Sequence, residues 1–436
     1  MKNSNKKFSF IIQFCAVLAL LSSLNGFTQN SHSVEQPLNC NLDVNDLDGV
    51  IYNEKFIQAF VDIENDSDET IPLKINWKIA TDSHHPLFDA EIQQKVEAKN
   101  TLKSYCPPFQ FTKPGFYQIA VEVKNEDGII FKHNITIGVN PEKISAPLDA
   151  KDDFESFWEA SLKELKTVNP EYNLIPVERE GDYKTNLFEV EMKSIGGLTV
   201  RGWLEVPKKE GKYPALLRVP GYTENLSPID KYEDLIVFSF NTRDHGESDN
   251  TGPRGWDMWV RGMDNKEDFY YRGIILDCFQ ALDYLCSRND VDTGRIAVWG
   301  GSQGGGLSFT TAALDKRISL CIADIPFLCE YPLYFEISHW DEVDAWFAEN
   351  PDQTWESLFG TLSYFDTKNM ADKITCPVYM GIGLQDDVCP PATSFVTYNY
   401  LNCPKEYTIY KYEKHSQPDS HYQSRFEKIR EVFKMD

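Results

Sequence analysis

The apolar residues of this chain change their period once, near residue 145, and that change limits what each part can fold into. Before it they alternate. Ile57, Ala59, Val61 and Ile63 recur at every second position, as do Leu73, Ile75, Trp77 and Ile79. Tyr117, Ile119, Val121 and Val123 repeat the pattern, and then Ile135, Ile137 and Val139. A period of two predicts strands with one buried face. Asn125-Glu126-Asp127-Gly128 supplies a turn between the last two of these strands. Such a run of short strands predicts an all-β, immunoglobulin-like sandwich over residues 29–145, read as a spacer or packing module.

Residues 140–149, with Pro141 and Pro147, read as a linker. Beyond it Phe154, Phe157, Trp158, Leu162 and Leu165 fall on one helical face, with Asp152 and Asp153 near the positive end of the helix dipole. From about residue 186 strands and helices alternate. Residues 198–206, 213–219, 235–240, 295–299, 320–325, 377–382 and 406–412 read as strands, and 271–285 and 305–314 as helices. This alternation predicts an α/β domain over residues 146–436 with a mainly parallel sheet.

The N-terminus has a different character. Lys2, Lys6 and Lys7 precede an apolar run from Phe8 to about Leu24, and Gly26 and Thr28 offer a cleavage point before Gln29. Residues 1–28 therefore read as a secretory signal peptide, which makes the chain exported, periplasmic or secreted, with no stable membrane insertion after cleavage. Nine cysteines remain after residue 28, of which Cys40 and Cys106 are placed to pair in an oxidising compartment. No Cys/His spacing calls for a metal. The net charge of −24 argues against a nucleic-acid partner, because phosphate recognition concentrates Lys and Arg.

The strongest chemical signal is Gly300-Gly301-Ser302-Gln303-Gly304, a G-x-S-x-G pentapeptide between a predicted strand and a predicted helix. In that context the chain turns sharply and presents the serine hydroxyl at the carboxyl edge of the sheet. A serine hydroxyl needs a base, and the base an orienting acid. Only His339, His415 and His421 follow Ser302. His415 lies just after the last predicted strand and is the leading base, with His421 its competitor; His339 reads as a packed residue of an aromatic, acidic segment. The loop after the preceding strand carries Asp386, the leading acid, beside Asp387; Asp324 reads as structural. An oxyanion hole needs two N–H donors, assigned here to Gln303 and Tyr222. No cofactor is needed for such chemistry.

Four stretches go further than the serine motif. Asp153-Phe-Glu-Ser-Phe-Trp158, Gly300-Gly-Ser-Gln-Gly-Gly-Gly306, Thr361-Leu-Ser-Tyr-Phe-Asp366 and Gly383-Leu-Gln-Asp-Asp-Val-Cys-Pro-Pro391 span the second domain. This region resembles the acetyl xylan esterase/cephalosporin C deacetylase family, carbohydrate esterase family seven, of the α/β-hydrolase type. The resemblance implies a serine esterase that removes acetyl groups from small acetylated carbohydrates through Ser302, Asp386 and His415. It also implies oxyanion donors at Tyr222 and Gln303 and a tendency to form homo-oligomers. Three local sequences depart from the family. Arg243-Asp244-His245 stands for Arg-Gly-Gln, Pro220-Gly221-Tyr222 for His-Gly-Tyr, and Ser416 for the glutamate after the histidine. Another serine hydrolase, a peptidase or longer-chain esterase, is the alternative. A sugar-binding protein with a relic hydrolase domain is the remaining class.

Overall fold

The computed structural model describes residues 38–51, 57–253, 255 and 257–435. The signal-peptide reading of residues 1–28 lies outside them. Among the described residues, no helix is long and apolar enough to cross a membrane.

The alternating segment forms two packed sheets. Its strands are β1 (Leu38–Val44), β2 (Val50–Ile51), β3 (Ala59–Asn65), β4 (Ile71–Thr81), β5 (Pro86–Val96), β6 (Thr101–Tyr105), β7 (Gly115–Asn125) and β8 (Gly128–Val139). One sheet has the order β1-β3-β6 and the other β2-β8-β7-β4-β5. The inward residues are those that the period of two selects: Val61, Ile63, Ile75, Trp77, Val123 and Ile137 are fully enclosed. Burying such a face is the main favourable term in the folding of a sandwich. β5 escapes the pattern because its residues alternate only between exposed and half-buried positions until Val96.

The Cys40–Cys106 pairing does not form, and both thiols are free. Cys40 lies opposite Ile63, on one side of β3, while the Cys106 amide donates to Ala59 on the other side. Two strand spacings of about 4.8 Å separate them, more than the roughly 7 Å that a disulfide spans. Burial pushes the Cys40 thiol up to about 11 and Cys106 up to about 12.

The second unit contains α1 (Phe154–Leu165), β9 (Asn173–Val177), β10 (Thr185–Lys193), β11 (Thr199–Pro207), β12 (Tyr213–Arg218), β13 (Ile236–Asn241), α2 (Tyr270–Ser287), β14 (Val291–Gly301) and α3 (Gln303–Leu314). β15 (Leu320–Asp324), α4 (Tyr331–Ile337), α5 (Asp341–Glu349), α6 (Trp355–Leu362), β16 (Val378–Gly383), α7 (Pro391–Tyr400), β17 (Lys405–Tyr410) and α8 (Asp419–Phe433) complete it. Its nine-stranded sheet runs β17-β16-β15-β14-β12-β13-β11-β10-β9. Pairs from β13 through β17 by way of β12 are parallel, and β9, β10 and β11 close one edge antiparallel. β13 is buried along its whole length, as its apolar run predicts for a strand covered on both faces. The strand order reverses around β12, and an open sheet of this kind places its ligand crevice at the carboxyl ends beside that reversal.

Two of the four quoted stretches are scaffold. Trp158 Nε1 of α1 donates to the Tyr364 carbonyl at 3.0 Å, and its ring meets Phe365 edge-on. The buried Asp366 carboxylate accepts from the amides of Glu330 and Tyr331 at the start of α4, each at 2.9 Å. Together these contacts fix the connection between α4 and β16.

The two units are joined at the loops after β16 and β17. The Gln385 side chain accepts from the Thr136 amide of β8 at 2.7 Å and donates back to its carbonyl at 3.1 Å. Lys411 Nζ, almost wholly buried, donates to the Val44 and Asp46 carbonyls and pairs with Asp43 at 2.8 Å. Phe116 of β7 packs on Phe395 of α7, with ring centroids 5.8 Å apart.

Asp82, just past β4 beside this junction, is pushed up to about 6 by burial, with Glu336 adding to the shift and the Ser83 amide opposing it. A carboxyl raised in the folded state keeps its proton there after the unfolded chain has lost it. Stability therefore falls as pH rises from about 4 to about 6. Asp82→Asn is expected to flatten that slope. Urea midpoints measured at half-unit pH steps check it, and an unchanged slope would refute it.

Candidate active site

Ser302 sits between β14 and α3 with φ +57° and ψ −121°, a conformation that side chains other than glycine rarely adopt. The turn is held from both sides. The Ser302 amide donates to the Asp324 carbonyl at 2.9 Å, and the Ser302 carbonyl accepts from Gly305, Gly306 and Phe327. Gly304 is required by close approach: a Cβ there would lie 2.5 Å from the Val219 carbonyl oxygen. The reading began α3 at Gly305; it starts at Gln303, so the serine itself caps the helix. The Gln303 and Gly304 amides, at the start of that helix, have no partner within it, and a helix start of this kind favours negative charge nearby.

His415 lies in the loop after β17, and its Nδ1–H donates to Asp386 Oδ2 at 2.9 Å. Asp386 also accepts from the Val388 and Cys389 amides at 2.9 and 2.8 Å. A buried carboxylate with three such donors is fixed in direction and holds the ring with Nε2 outward. The acid and histidine loops are stitched together by the Gln385 amide, which donates to the Glu413 carbonyl at 2.8 Å. Gly383 permits the approach, because a Cβ there would fall on the Lys414 carbonyl.

Ser302 and His415 line one cavity of about 200 Å³. They are not hydrogen-bonded to each other; the serine Oγ contacts Cys389 Sγ, at 3.9 Å. Loose contacts of this kind in a free enzyme tighten when substrate arrives. The cavity walls are aromatic: Tyr222, Trp259, Tyr271, Phe327 and Trp340. Trp259 meets Trp340 edge-on at 5.6 Å and Phe327 at 6.1 Å. Sequence reading does not find Trp259, Tyr271, Phe327, Trp340 or Cys389 as lining residues; the cluster of aromatics between Phe327 and Phe359 is a signal for Phe327 and Trp340 alone.

The remaining candidates separate cleanly. His421 is buried, with Nε2 on Asp324 Oδ1 at 2.8 Å and Nδ1 on the Tyr410 hydroxyl at 2.8 Å. Both ring nitrogens are engaged, neither with Ser302. Asp324 is structural, as read, and also takes Arg425 at 3.0 Å and the Trp299 indole at 3.1 Å. Asp387 lies beside Asp386, and its carbonyl accepts from the Ser338 hydroxyl at 3.2 Å. The expectation that His339 packs inside fails: it is exposed, 3.3 Å from both Asp341 and Asp344, because its neighbours on α5 are acidic.

In the turn expected to hold the second oxyanion donor, the Gly221 amide is taken by Glu224 at 2.7 Å, and Tyr222 lies on the cavity wall. Its hydroxyl donates to the Gly255 carbonyl at 3.2 Å. Behind the turn the Gln303 side chain donates to the Pro220 carbonyl and to His245 Nε2, each at 3.3 Å, and accepts from the Tyr271 hydroxyl at 3.2 Å. His245 Nδ1–H in turn donates to the Arg243 carbonyl at 2.9 Å. Arg243 itself forms a buried two-pronged pair with Asp277, at 2.8 and 2.7 Å. The unusual Arg243-Asp244-His245 sequence is thus a brace behind Gln303 and Pro220. Among the described residues no group of three or more His, Cys, Asp or Glu side chains is arranged to hold a metal.

Comparison with known proteins gives the family. The family model described as acetyl xylan esterase matches residues 144–431. The chain belongs to this family. It is a carboxylic ester hydrolase. It is 28% identical over 365 residues to the acetyl esterase Axe7A of Xylanibacter ruminicola, a match covering 78% of this chain and 79% of the relative. It is similar to the solved acetyl xylan esterase from Paenibacillus sp. R4, with 30% identity, a TM-score of 0.61 and coverage of 66% of this chain and 97% of the other. Acetyl xylan esterase 1 from Thermoanaerobacterium sp. JW/SL YS485 also matches at a TM-score of 0.61, with 26% identity and coverage of 67% and 98%. Both solved structures thus match over nearly their whole length while about a third of this esterase lies outside the match.

Proposed function

We propose that this esterase removes acetyl groups from acetylated sugars and xylo-oligosaccharides through Ser302, His415 and Asp386. The observation that carries the reading is the small aromatic cavity that Ser302 and His415 share, because about 200 Å³ bounded by rings suits a short acyl chain. The Axe7A likeness supports acetate as the acyl group.

Ser302 Oγ attacks the acetyl carbonyl while His415 Nε2 takes its proton. Asp386 holds the imidazolium that forms. The Gln303 and Tyr222 amides receive the oxyanion, and the helix dipole of α3 adds to that field. The tetrahedral species collapses, the C–O bond to the sugar breaks, and His415 returns the proton to the departing alcohol. Water then attacks the acetyl-enzyme with His415 as base, releasing acetate and restoring Ser302.

A 4-nitrophenyl ester series tests acyl size. Acetate is expected to exceed butyrate in kcat/KM by about a hundredfold, since each of the two surplus methylenes costs about a factor of ten in a small pocket. Preference for octanoate would overturn the reading in favour of a longer-chain esterase, and cleavage of peptide amides would favour a peptidase.

The rest of the chain is read in the same light. Residues 29–145 form an immunoglobulin-like domain and 146–436 the α/β-hydrolase domain, with residues 1–28 removed on export. N-terminal sequencing of the mature protein checks the leader.

A further inference from the structure

A second cavity, of about 600 Å³, lies between the two units. It is three times the volume of the catalytic cavity and within the range of about 300–1,000 Å³ typical of ligand sites, which favour such junctions. One wall comes from the N-terminal unit: Gln118 of β7, His133 and Asn134 of β8, and Asp82 and His84 of the β4–β5 turn. The other comes from the loops that carry the catalytic acid and histidine.

The two cavities are neighbours. The same three segments supply both. Ile337 faces the larger and Trp340 the smaller; Asp387 the larger and Val388 the smaller; Lys414 the larger and His415 the smaller. The two cavities thus share the walls formed by these segments. Val388, on one of these walls, is 37% exposed.

The linings differ in chemistry. The catalytic cavity is aromatic, whereas the larger one mixes amides, imidazoles, three carboxylates (Asp82, Asp386 and Asp387) and an ammonium with the buried Phe116 and the exposed ring of Tyr412. Tyr412 is 65% exposed, and its hydroxyl is anchored on Asp43, which leaves its ring standing at the junction. The amides of Gln118 and Asn134 have no side-chain partner among the described residues. Each offers a donor and an acceptor together. Paired donors and acceptors beside the exposed Tyr412 ring suit a ligand with many hydroxyls on an apolar ring skeleton.

We propose that this junction is an oligosaccharide subsite, in which sugar units beyond the acetylated one bind between the N-terminal strands and the Asp386–Pro391 loop. The proposal rests on the acetyl-sugar reading and extends it. The catalytic cavity takes the acetyl group, and the junction takes the neighbouring rings. The N-terminal unit is then part of the substrate site, and the enzyme favours oligomers over single sugars.

The test compares the double variant Gln118→Ala/Asn134→Ala with the unaltered enzyme on acetylated xylotetraose, acetylated xylose and 4-nitrophenyl acetate. Neither residue belongs to the catalytic machinery. Losing two ligand hydrogen bonds is expected to raise KM for the tetraose about tenfold, with kcat and both small substrates within about twofold. The unaltered enzyme is expected to prefer the tetraose to the monosaccharide. Equal rates on tetraose and monosaccharide, unchanged by the substitutions, would overturn the subsite and leave the acetyl-sugar reading intact. A parallel loss on all three substrates would mean that the junction only braces the catalytic loops, and would also overturn it. Failure of the unaltered enzyme to release acetate from either saccharide would remove the acetyl-sugar reading and the subsite with it.

Discussion

Ser302→Ala is expected to lower kcat/KM for 4-nitrophenyl acetate by more than about a thousandfold. Removing Oγ leaves no group at the elbow that can form the acyl intermediate, since His415 Nε2 could then act only on water. The residual rate reports what the helix amides and the aromatic walls contribute without a nucleophile. The backbone should tolerate the change, because the bonds that hold the strained turn come from the Ser302 amide and carbonyl. The measurement is steady-state hydrolysis together with fluorophosphonate labelling, which should mark the unaltered enzyme and spare the variant. Activity within about tenfold of the original would show that another residue is the nucleophile. Cys389, 3.9 Å from Oγ, is the nearest alternative, but burial drives its thiol well above the ordinary range and keeps it a poor nucleophile.

Asp324→Ala is expected to destabilise the fold by about 3–5 kcal/mol, because it strands buried charge on Arg425 and removes the acceptor of His421. The same carboxylate receives Trp299 Nε1 and the Gly381 amide, while the Asp324 carbonyl receives Ser302 N. The loss should therefore reach the elbow, lowering the urea midpoint and, near that midpoint, activity. Burial by itself would raise the Asp324 carboxyl, but the Arg425 charge and the His421 hydrogen bond hold it below its ordinary value. A carboxyl lowered in the folded state stabilises above its unfolded value, and that contribution disappears as pH falls through the folded value. Part of the acid unfolding of the unaltered protein should thus be absent from Asp324→Asn. An Asp324→Ala protein with an unchanged midpoint would refute the bracing role. His421→Gln discriminates further: if His421 were the base, folded enzyme would lose activity as severely as His415→Gln.

Local order was legible in the sequence where a single face decides it. Trp77 and its neighbours at every second position had to be strand, and the apolar run that became β13 had to be covered on both sides. The G-x-S-x-G elbow was legible for the same reason: a serine held at positive φ and a glycine facing a carbonyl 2.5 Å from its missing Cβ are demands on adjacent residues. Weakly patterned β5 was not legible, nor was the start of α3 at Gln303, where the turn and the helix share the serine.

Contacts between distant segments were decided only by the tertiary structure. Two histidines six residues apart follow Ser302, and sequence order alone admits either. Folding gives His415 to Asp386, 29 residues away, and His421 to Asp324, 97 residues away. The reason is position relative to the sheet: His415 is on a loop above its carboxyl edge, while His421 starts α8, which packs over β15 and β16. The same holds for Cys40 and Cys106, kept apart by β3, and for the bond from Gln385 to Thr136 that ties the acid loop to the N-terminal unit. Hydropathy period and turn chemistry act through neighbours in the chain, so one sequence suffices to read them. Which carboxylate meets which imidazole depends on how whole elements pack, and no local pattern encodes that choice.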